Sequence, residues 1–284
     1  MQPLVSILIP TYNGEAFIKE ALDSVNLQTY ENCEVVISDD RSSDASLEIV
    51  RKFQEVCRFE TIIVSHEPTG IGENWNNCVR HANGAYVKFL FQDDLLFPDC
   101  IEKMMQSALN NDEIGLVYCK RHIIDEQGTN QNWIKSFGSL HKFWKKINIE
   151  AESLSGKEYL RDEQLLAFPD NKIGEPTAVL LKKEVFESVG FFRNDLQQLL
   201  DIEYWYRVMK KYRIAFVAEK LISFRLHHDQ TTKKNTSKGV SDYHDFYHIL
   251  YHEYFKFLHP KVKWKLVWSV TRLRKLSGFF KRFL

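Results

Sequence analysis

Along the first 120 positions, short apolar runs alternate with stretches in which apolar residues recur every three or four positions. Leu4–Ile9, Glu34–Ser38, Thr61–Ser65, Tyr86–Phe91 and Gly115–Cys119 are short runs of the kind that predicts strands. Between them, Phe17, Ala21, Leu22 and Val25 give Glu15–Leu27 a helical period, and Asp44 is placed to cap a helix reaching Val56. Glu73–Ala82 predicts a third helix, and Pro98 suits the first turn of a fourth that ends near Leu109. This alternation implies an α/β fold with a Rossmann-like, mostly parallel sheet flanked by helices. Ligands bind beyond the carboxyl ends of such strands. Thr11–Asn13, Asp39–Asp40 and Gln92–Asp94 each follow a strand, so all three are expected along one edge.

From Lys120 to Lys172 the pattern is less regular, and we read it as a variable region that shapes a second-substrate pocket. Regularity returns with a strand in Gly174–Leu181, a helix over Lys183–Val189 stopped by Gly190, and a helix over Asp201–Tyr212. Ala215–Ala218 and Leu221–Arg225 read as two strands, and Tyr243–Leu258 as an aromatic-rich helix. In that helix His244, His248 and His252 repeat every four residues, but the interleaved tyrosines and Phe246 indicate a packing face instead of a metal site.

Composition narrows the class. With 284 residues, 44% of them hydrophobic, the chain can bury a sizeable core. No run approaches the roughly 18 apolar residues of a membrane span. The opening Met-Gln-Pro leads straight into a strand, which predicts the cytoplasm. Five scattered cysteines without a CxxC pair fit reduced thiols.

The net charge of zero hides an asymmetry, because Lys261–Leu284 carries eight Lys or Arg and no acid. There Val262, Leu266, Val270, Leu273, Leu276, Phe280 and Leu284 form one apolar stripe, with Trp264 and Trp268 on its flanks. The pattern suits a helix lying on a membrane surface. The alternative is a helix docked on its own domain or on a twin subunit.

The sharpest chemical feature is Asp93–Asp94 at the end of a strand. Adjacent like charges need a basic residue, a helix N-terminus or a cation as partner. "VSILIPTYNGEAFIKEALDSVNLQTY", "EVVISDDRSSDAS", "AYVKFLFQDDLLFPDCIEKM", "GEPTAVLLKKEVFESVGFF" and "LLDIEYWYRVMKKYRIAFV" follow one another in the chain. Together these blocks resemble a family 2 glycosyltransferase, over roughly Pro3 to Thr232. The resemblance implies a GT-A fold over 1–232, with a nucleotide-sugar-binding half (1–119) and an acceptor-side half (120–232). A helical C-terminal extension, 233–284, would be basic and amphipathic from about 261.

The resemblance also implies transfer of a sugar, with inversion, from a nucleotide-sugar to a hydroxyl of a glycan or lipid-linked acceptor. Asp93 and Asp94 would hold Mn²⁺ or Mg²⁺, which neutralises charge growing on the departing diphosphate. Asp93 would thereby also contact the donor. Asp39 and Asp40 would face a uridine, since a carboxylate accepts the imide N–H of uracil. Thr11, Tyr12 and Asn13 would hold the nucleoside. Asp201 matches the family's catalytic base, with Glu203 a weaker candidate and a helix cap the plain alternative. Arg225 and His227, in "SFRLHHDQTT", would contact phosphate or metal.

Three positions depart from the family pattern. Phe91 and Leu200 stand where relatives carry acids, and Trp75 stands where they place a base. The resemblance further implies synthesis of bacterial surface polysaccharide or glycolipid at the inner face of the plasma membrane, by an enzyme that can form homo-oligomers and has no nucleic-acid partner. Two other readings stay open: a nucleotidyltransferase, although "PTYNGEAF" lacks the glycine-rich basic loop, and a scaffold subunit that has lost catalysis.

Overall fold

A computed structural model describes residues 2–128, 130–144, 146–228, 230, 235 and 239–280, with side chains through 271. The first half alternates as expected. It contains β1 (Val5–Thr11), α1 (Ile18–Asn26), β2 (Cys33–Asp39), α2 (Ser46–Val56), β3 (Glu60–Ser65), α3 (Ile71–His81), β4 (Tyr86–Phe89), β5 (Leu95–Leu96), α4 (Cys100–Ala108) and β6 (Ile114–Ile124). The second half adds α5 (Gln131–Phe137), β7 (Leu154–Ser155), α6 (Gly156–Leu160), β8 (Val179–Lys182), α7 (Glu184–Val189), α8 (Leu200–Met209) and β9 (Arg213–Arg225). After it come α9 (Tyr243–Ile249) and α10 (Pro260–Phe280). The expected boundary at 232–233 lies outside the described residues.

The described strands form one sheet in the order β3-β2-β1-β4-β8-β6-β9-β5, with β7 also pairing to β9. β3, β2, β1 and β4 are mutually parallel, β8 runs antiparallel to both β4 and β6, and β6 and β9 are parallel. The carboxyl ends of β1, β2, β3, β4, β6 and β9 therefore share one edge. The start of β8 reaches the same edge because that strand is reversed.

Side chains alternate between the two faces, as a period of two requires. Val5, Ile7 and Ile9 join one core with Val35 and Ile37, under α1, α2 and α4. Leu8, Val36, Val87 and Phe89 enter the other, under α3 and α8.

Three expected elements differ. The strand expected over Gly174–Leu181 is only β8, Val179–Lys182, because Pro176–Ala178 forms a 3-10 turn. The pair of strands after α8 is one continuous β9, in which pairing with β6 jumps from Cys119↔Val217 to Lys120↔Lys220. That bulge turns the exposed Ala218–Lys220 outward without ending the strand. The expected helix Tyr243–Leu258 divides into α9, a π-helical turn (Leu250–Tyr254) and a 3-10 turn (Phe255–Phe257). Phe246, Leu250 and Tyr254 are all fully buried. A steady spacing of four drifts around an α-helix, and the wider π turn brings Tyr254 back onto the buried face.

α10 resolves the choice for its first turns. Val262, Leu266 and Val270 are buried, and the first two belong to the same core as Tyr206, Phe246 and Tyr254. This part of the stripe docks on its own chain. Trp264 and Trp268 are 77% and 61% exposed. The side chains of Leu273, Leu276 and Phe280, and all of Leu284, lie outside the described residues. Among the described residues no helix is long and apolar enough to cross a membrane.

Candidate active site

The loops leaving β1, β2 and β4 are knitted together by side chains. Gln92 clamps the main chain of Tyr12, accepting from its N–H at 2.9 Å and donating to its carbonyl at 3.0 Å. A Cβ at Gly14 would stand 2.4 Å from the Gln92 side chain, so the clamp needs glycine there. Asn13 and Arg41 hold left-handed φ angles of 46° and 56°. Asn13 is fixed there by donation of its N–H to Ser42 Oγ, and its side-chain oxygen accepts from the Ser43 N–H. Thr11 is buried, whereas Tyr12 is exposed with its ring free to meet a ligand.

The two aspartates after β2 behave differently. Asp39 closes a turn, accepting from the Ser42 N–H at 3.0 Å and the Ser42 hydroxyl at 2.6 Å. Asp40 lies 2.8 Å from Nε2 of His66. Burial pushes the Asp40 carboxyl up, and the negative neighbours Asp39 and Glu73 add to this while His66 opposes it.

After β4 the acidic pair splits its roles. Asp93 Oδ2 is 2.9 Å from Nε2 of His227, which follows β9. Asp94 is buried; its Oδ1 accepts from the Arg225 N–H at 3.2 Å, and its Oδ2 is buried without a hydrogen bond. Burial, then the charges of Asp93 and Glu175, hold its carboxyl well above the usual range. Asp94 does not cap α4, which starts after Asp99.

Arg225 braces this loop. Its Nε donates to the Asp93 carbonyl at 3.1 Å, and its other nitrogens pair with Glu20 at 2.6 Å and with Glu126. The guanidinium also sits over the Phe17 ring. It is buried and satisfied by protein groups, so its reach toward a ligand runs through the Asp93 loop.

The reversed β8 brings in two residues that the sequence did not flag. Thr177 Oγ1 accepts from the Phe91 N–H at 3.2 Å, and the buried Lys88 holds the Thr177 carbonyl. Glu175 pairs with Arg121 through one oxygen, and its Oε1 is buried without a hydrogen bond. Glu175 is near enough to raise the carboxyls of both Asp94 and Asp201.

Asp201 is the second residue of α8. Its Oδ2 accepts from Asn171 at 2.9 Å and its Oδ1 from the Ile202 N–H at 2.7 Å. Asn171 also grips both the N–H and the carbonyl of Gly174, next to Glu175. Burial pushes Asp201 up to about 7, with the charge of Glu175 contributing. It is not the cap of α8. Leu199 holds the cap position, and the N–H groups of Gln197, Gln198 and Leu199 all donate to Asp242. Glu203 is buried and bonded to both Arg207 and Tyr254, which leaves it a packing role.

The departures Phe91, Trp75 and Leu200 meet in one apolar cluster. Trp75 and Phe91 have ring centroids 5.0 Å apart, Phe192 meets Trp75 edge-on, and Leu200 is buried in the same core.

No group of three or more His, Cys, Asp or Glu forms a metal cage among the described residues. The donors present nevertheless fit a hard divalent cation that keeps open positions. They are a carboxylate against an imidazole, and a buried carboxylate oxygen without a hydrogen bond.

The open α/β sheet with acids along its carboxyl edge is a GT-A fold, as its likeness to solved structures shows. TarS of S. aureus in complex with UDP-GlcNAc matches with a TM-score of 0.64 at 19% identity, covering 87% of this chain and 64% of that one. The mannosyltransferase PcManGT of Pyrobaculum calidifontis, in complex with GDP-Man and Mn²⁺, matches with a TM-score of 0.60 at 19% identity, covering 84% and 61%. The profile of glycosyl transferase family 2 matches residues 6–190, and the chain belongs to that family. An uncharacterized glycosyltransferase of Rickettsia typhi is 28% identical over 233 residues, covering 81% of this chain and 66% of its own length. The chain thus spans about two thirds of the length of these proteins.

Proposed function

We propose that this chain transfers a hexosyl or N-acetylhexosaminyl group from a UDP-sugar to a hydroxyl of a glycan or lipid-linked acceptor, with inversion, in bacterial surface polysaccharide or glycolipid synthesis. The observation that carries this reading is one continuous acidic edge. Asp40 follows β2, Asp93 and Asp94 follow β4, and Asp201 joins them through Asn171, Gly174 and Glu175. UDP-GlcNAc and GDP-Man bound to TarS and PcManGT support a nucleotide-sugar donor.

In this reading Thr11, Tyr12, Asn13, Asp39 and Asp40 hold the nucleoside, with the Tyr12 ring against the base. Asp93, Asp94 and His227 hold Mn²⁺ or Mg²⁺, which when bound neutralises the diphosphate leaving group. Arg225 keeps the Asp93 carbonyl, and with it the loop, in place. The Asp201 carboxylate accepts the proton of the acceptor hydroxyl. The new bond from that oxygen to the anomeric carbon forms as the carbon–phosphate-oxygen bond breaks, and the nucleoside diphosphate departs with the bonding electrons. A carboxyl with a pKa of about 7 is poised for this exchange, which favours an enzyme over an inactive scaffold.

The chain would work in the cytoplasm, at the inner face of the plasma membrane. It would meet that membrane through the Trp264–Trp268 side of α10, because the apolar side is docked inward.

The base assignment is tested with Asp201→Asn. Nucleotide-sugar binding is expected to persist while turnover falls about 100-fold or more. Near-normal turnover with binding intact would remove Asp201 from the chemistry.

A further inference from the structure

The chain that follows β9 grips α8, the helix carrying Asp201, at its entry and along its length. Asp242 is buried at the head of α9, and its Oδ2 accepts from the N–H groups of Gln197, Gln198 and Leu199 at 2.7, 2.5 and 3.0 Å. Those three residues are the bend that enters α8, just ahead of Asp201. A carboxylate is a stronger acceptor than a neutral oxygen, and burial leaves little water to stand in for it. Asp242 is itself anchored, since its carbonyl accepts from the Phe246 N–H at 2.8 Å in the first turn of α9. Further along, Tyr254 donates its hydroxyl to Glu203 Oε1 at 2.9 Å, and the rings of Phe246 and Tyr254 pack against Tyr206.

The other support of Asp201 is tied to the same part of the chain. Next to Asn171, which holds Asp201 Oδ2, the buried Lys172 donates to the carbonyls of Leu165 and Ala167 at 2.9 and 3.0 Å. Between them, the Leu166 carbonyl accepts from Lys265 of α10 at 2.6 Å, and Lys261 pairs with Glu163 at 2.5 Å. Both supports of the Asp201 carboxylate therefore lead to the C-terminal extension. The loops that carry Tyr12, Asp39 and Asp93 take their bonds from Gln92, Ser42 and Arg225 instead.

We propose that Asp242 is a positioning residue for the base: by fixing the chain that enters α8, it aims the Asp201 carboxylate at the acceptor hydroxyl. The inference rests on reading Asp201 as that base. It gives the C-terminal extension a part in the transfer step and none in donor binding. Displacing a reacting group by about 1 Å costs about 100-fold in rate, and a partly loosened α8 costs less.

The test follows release of UDP from UDP-GlcNAc and UDP-glucose, and of GDP from GDP-mannose, by the full chain with Mn²⁺ and with water in the acceptor's place. On the substrate that the wild type cleaves fastest, Asp242→Ala is expected to lower kcat about tenfold or more, with affinity for the released nucleotide kept within about twofold. Asp242→Asn keeps an accepting oxygen without the charge and should recover part of that loss. A contact that serves stability alone would lower the melting temperature and leave kcat per folded molecule unchanged. A loss of kcat under about threefold in folded Asp242→Ala overturns the proposal, as does an equal loss of nucleotide affinity. Where the alanine variant does not fold, Asp242→Asn decides by the same threshold and the same comparison with nucleotide affinity. Asp201→Asn separates the two levels. If it cleaves as fast as the wild type, the base reading falls and this inference with it. If it is slow while Asp242→Ala is not, only this inference falls. No cleavage of any of the three by the wild type overturns both.

Discussion

As the proposed base, Asp201 would act only when deprotonated, and burial beside Glu175 pushes its pKa up to about 7. Turnover should therefore rise with pH through about 7 and level off above it, dropping roughly tenfold per unit on the acid side. Glu175→Gln removes a charge that raises Asp201, so the acid limb should move to lower pH. Measuring kcat against pH for both proteins decides this, and an unmoved limb would detach Glu175 from the site. Asp39, Asp40, Asp93, Asp94 and Asp201 were legible in the sequence because acids directly after strands, or in a motif at the start of a helix, stand out. His66, Glu175 and Thr177 were not, because their importance comes from partners distant in sequence: Asp40, Arg121 and the Phe91 N–H. Nor could the sequence show that Asp242, which heads α9, holds the N–H groups of Gln197, Gln198 and Leu199 just ahead of α8.

At the level of elements, apolar periodicity located the strands and helices of the first half to within a few residues. It misjudged β9, where three exposed positions mark a bulge instead of a gap, and Tyr243–Leu258, where a π turn interrupts the helix. Phe91 and Trp75 looked like separate lapses from a family pattern, yet their rings pack on each other, and an acid or a base there would be set into an aromatic cluster. The tail stripe was read correctly as apolar, but pattern alone could not choose between bilayer and protein. The docked Val262, Leu266 and Val270 leave Trp264 on the outward side of α10. The variant Trp264→Ala should keep its melting temperature, since that ring is 77% exposed. Its co-sedimentation with vesicles containing anionic phosphatidylglycerol should fall severalfold, on the order of 1 kcal/mol or more of lost interfacial binding. Undiminished vesicle binding would remove this side of α10 from the membrane account.

Across the whole molecule, function follows from strand direction. Six strands deliver their carboxyl ends to one edge, and reversed β8 delivers its start there, which brings residues from both halves of the chain to that edge. The parallel half was legible from strand–helix alternation. The reversal was not, because a short apolar strand carries no mark of its direction. Whether this edge binds a nucleotide-sugar through a cation held at Asp93 is decided by thermal unfolding with a panel of nucleotide-sugars, with and without Mn²⁺. A ligand that binds only the native state raises the melting temperature, by an amount that grows with the logarithm of its concentration over its Kd. At least one UDP-sugar should raise it by several degrees only when Mn²⁺ is present, and Asp93→Ala should abolish the metal-dependent part. No shift with any nucleotide-sugar, or an equal Mn²⁺-dependent shift in Asp93→Ala, would contradict the account.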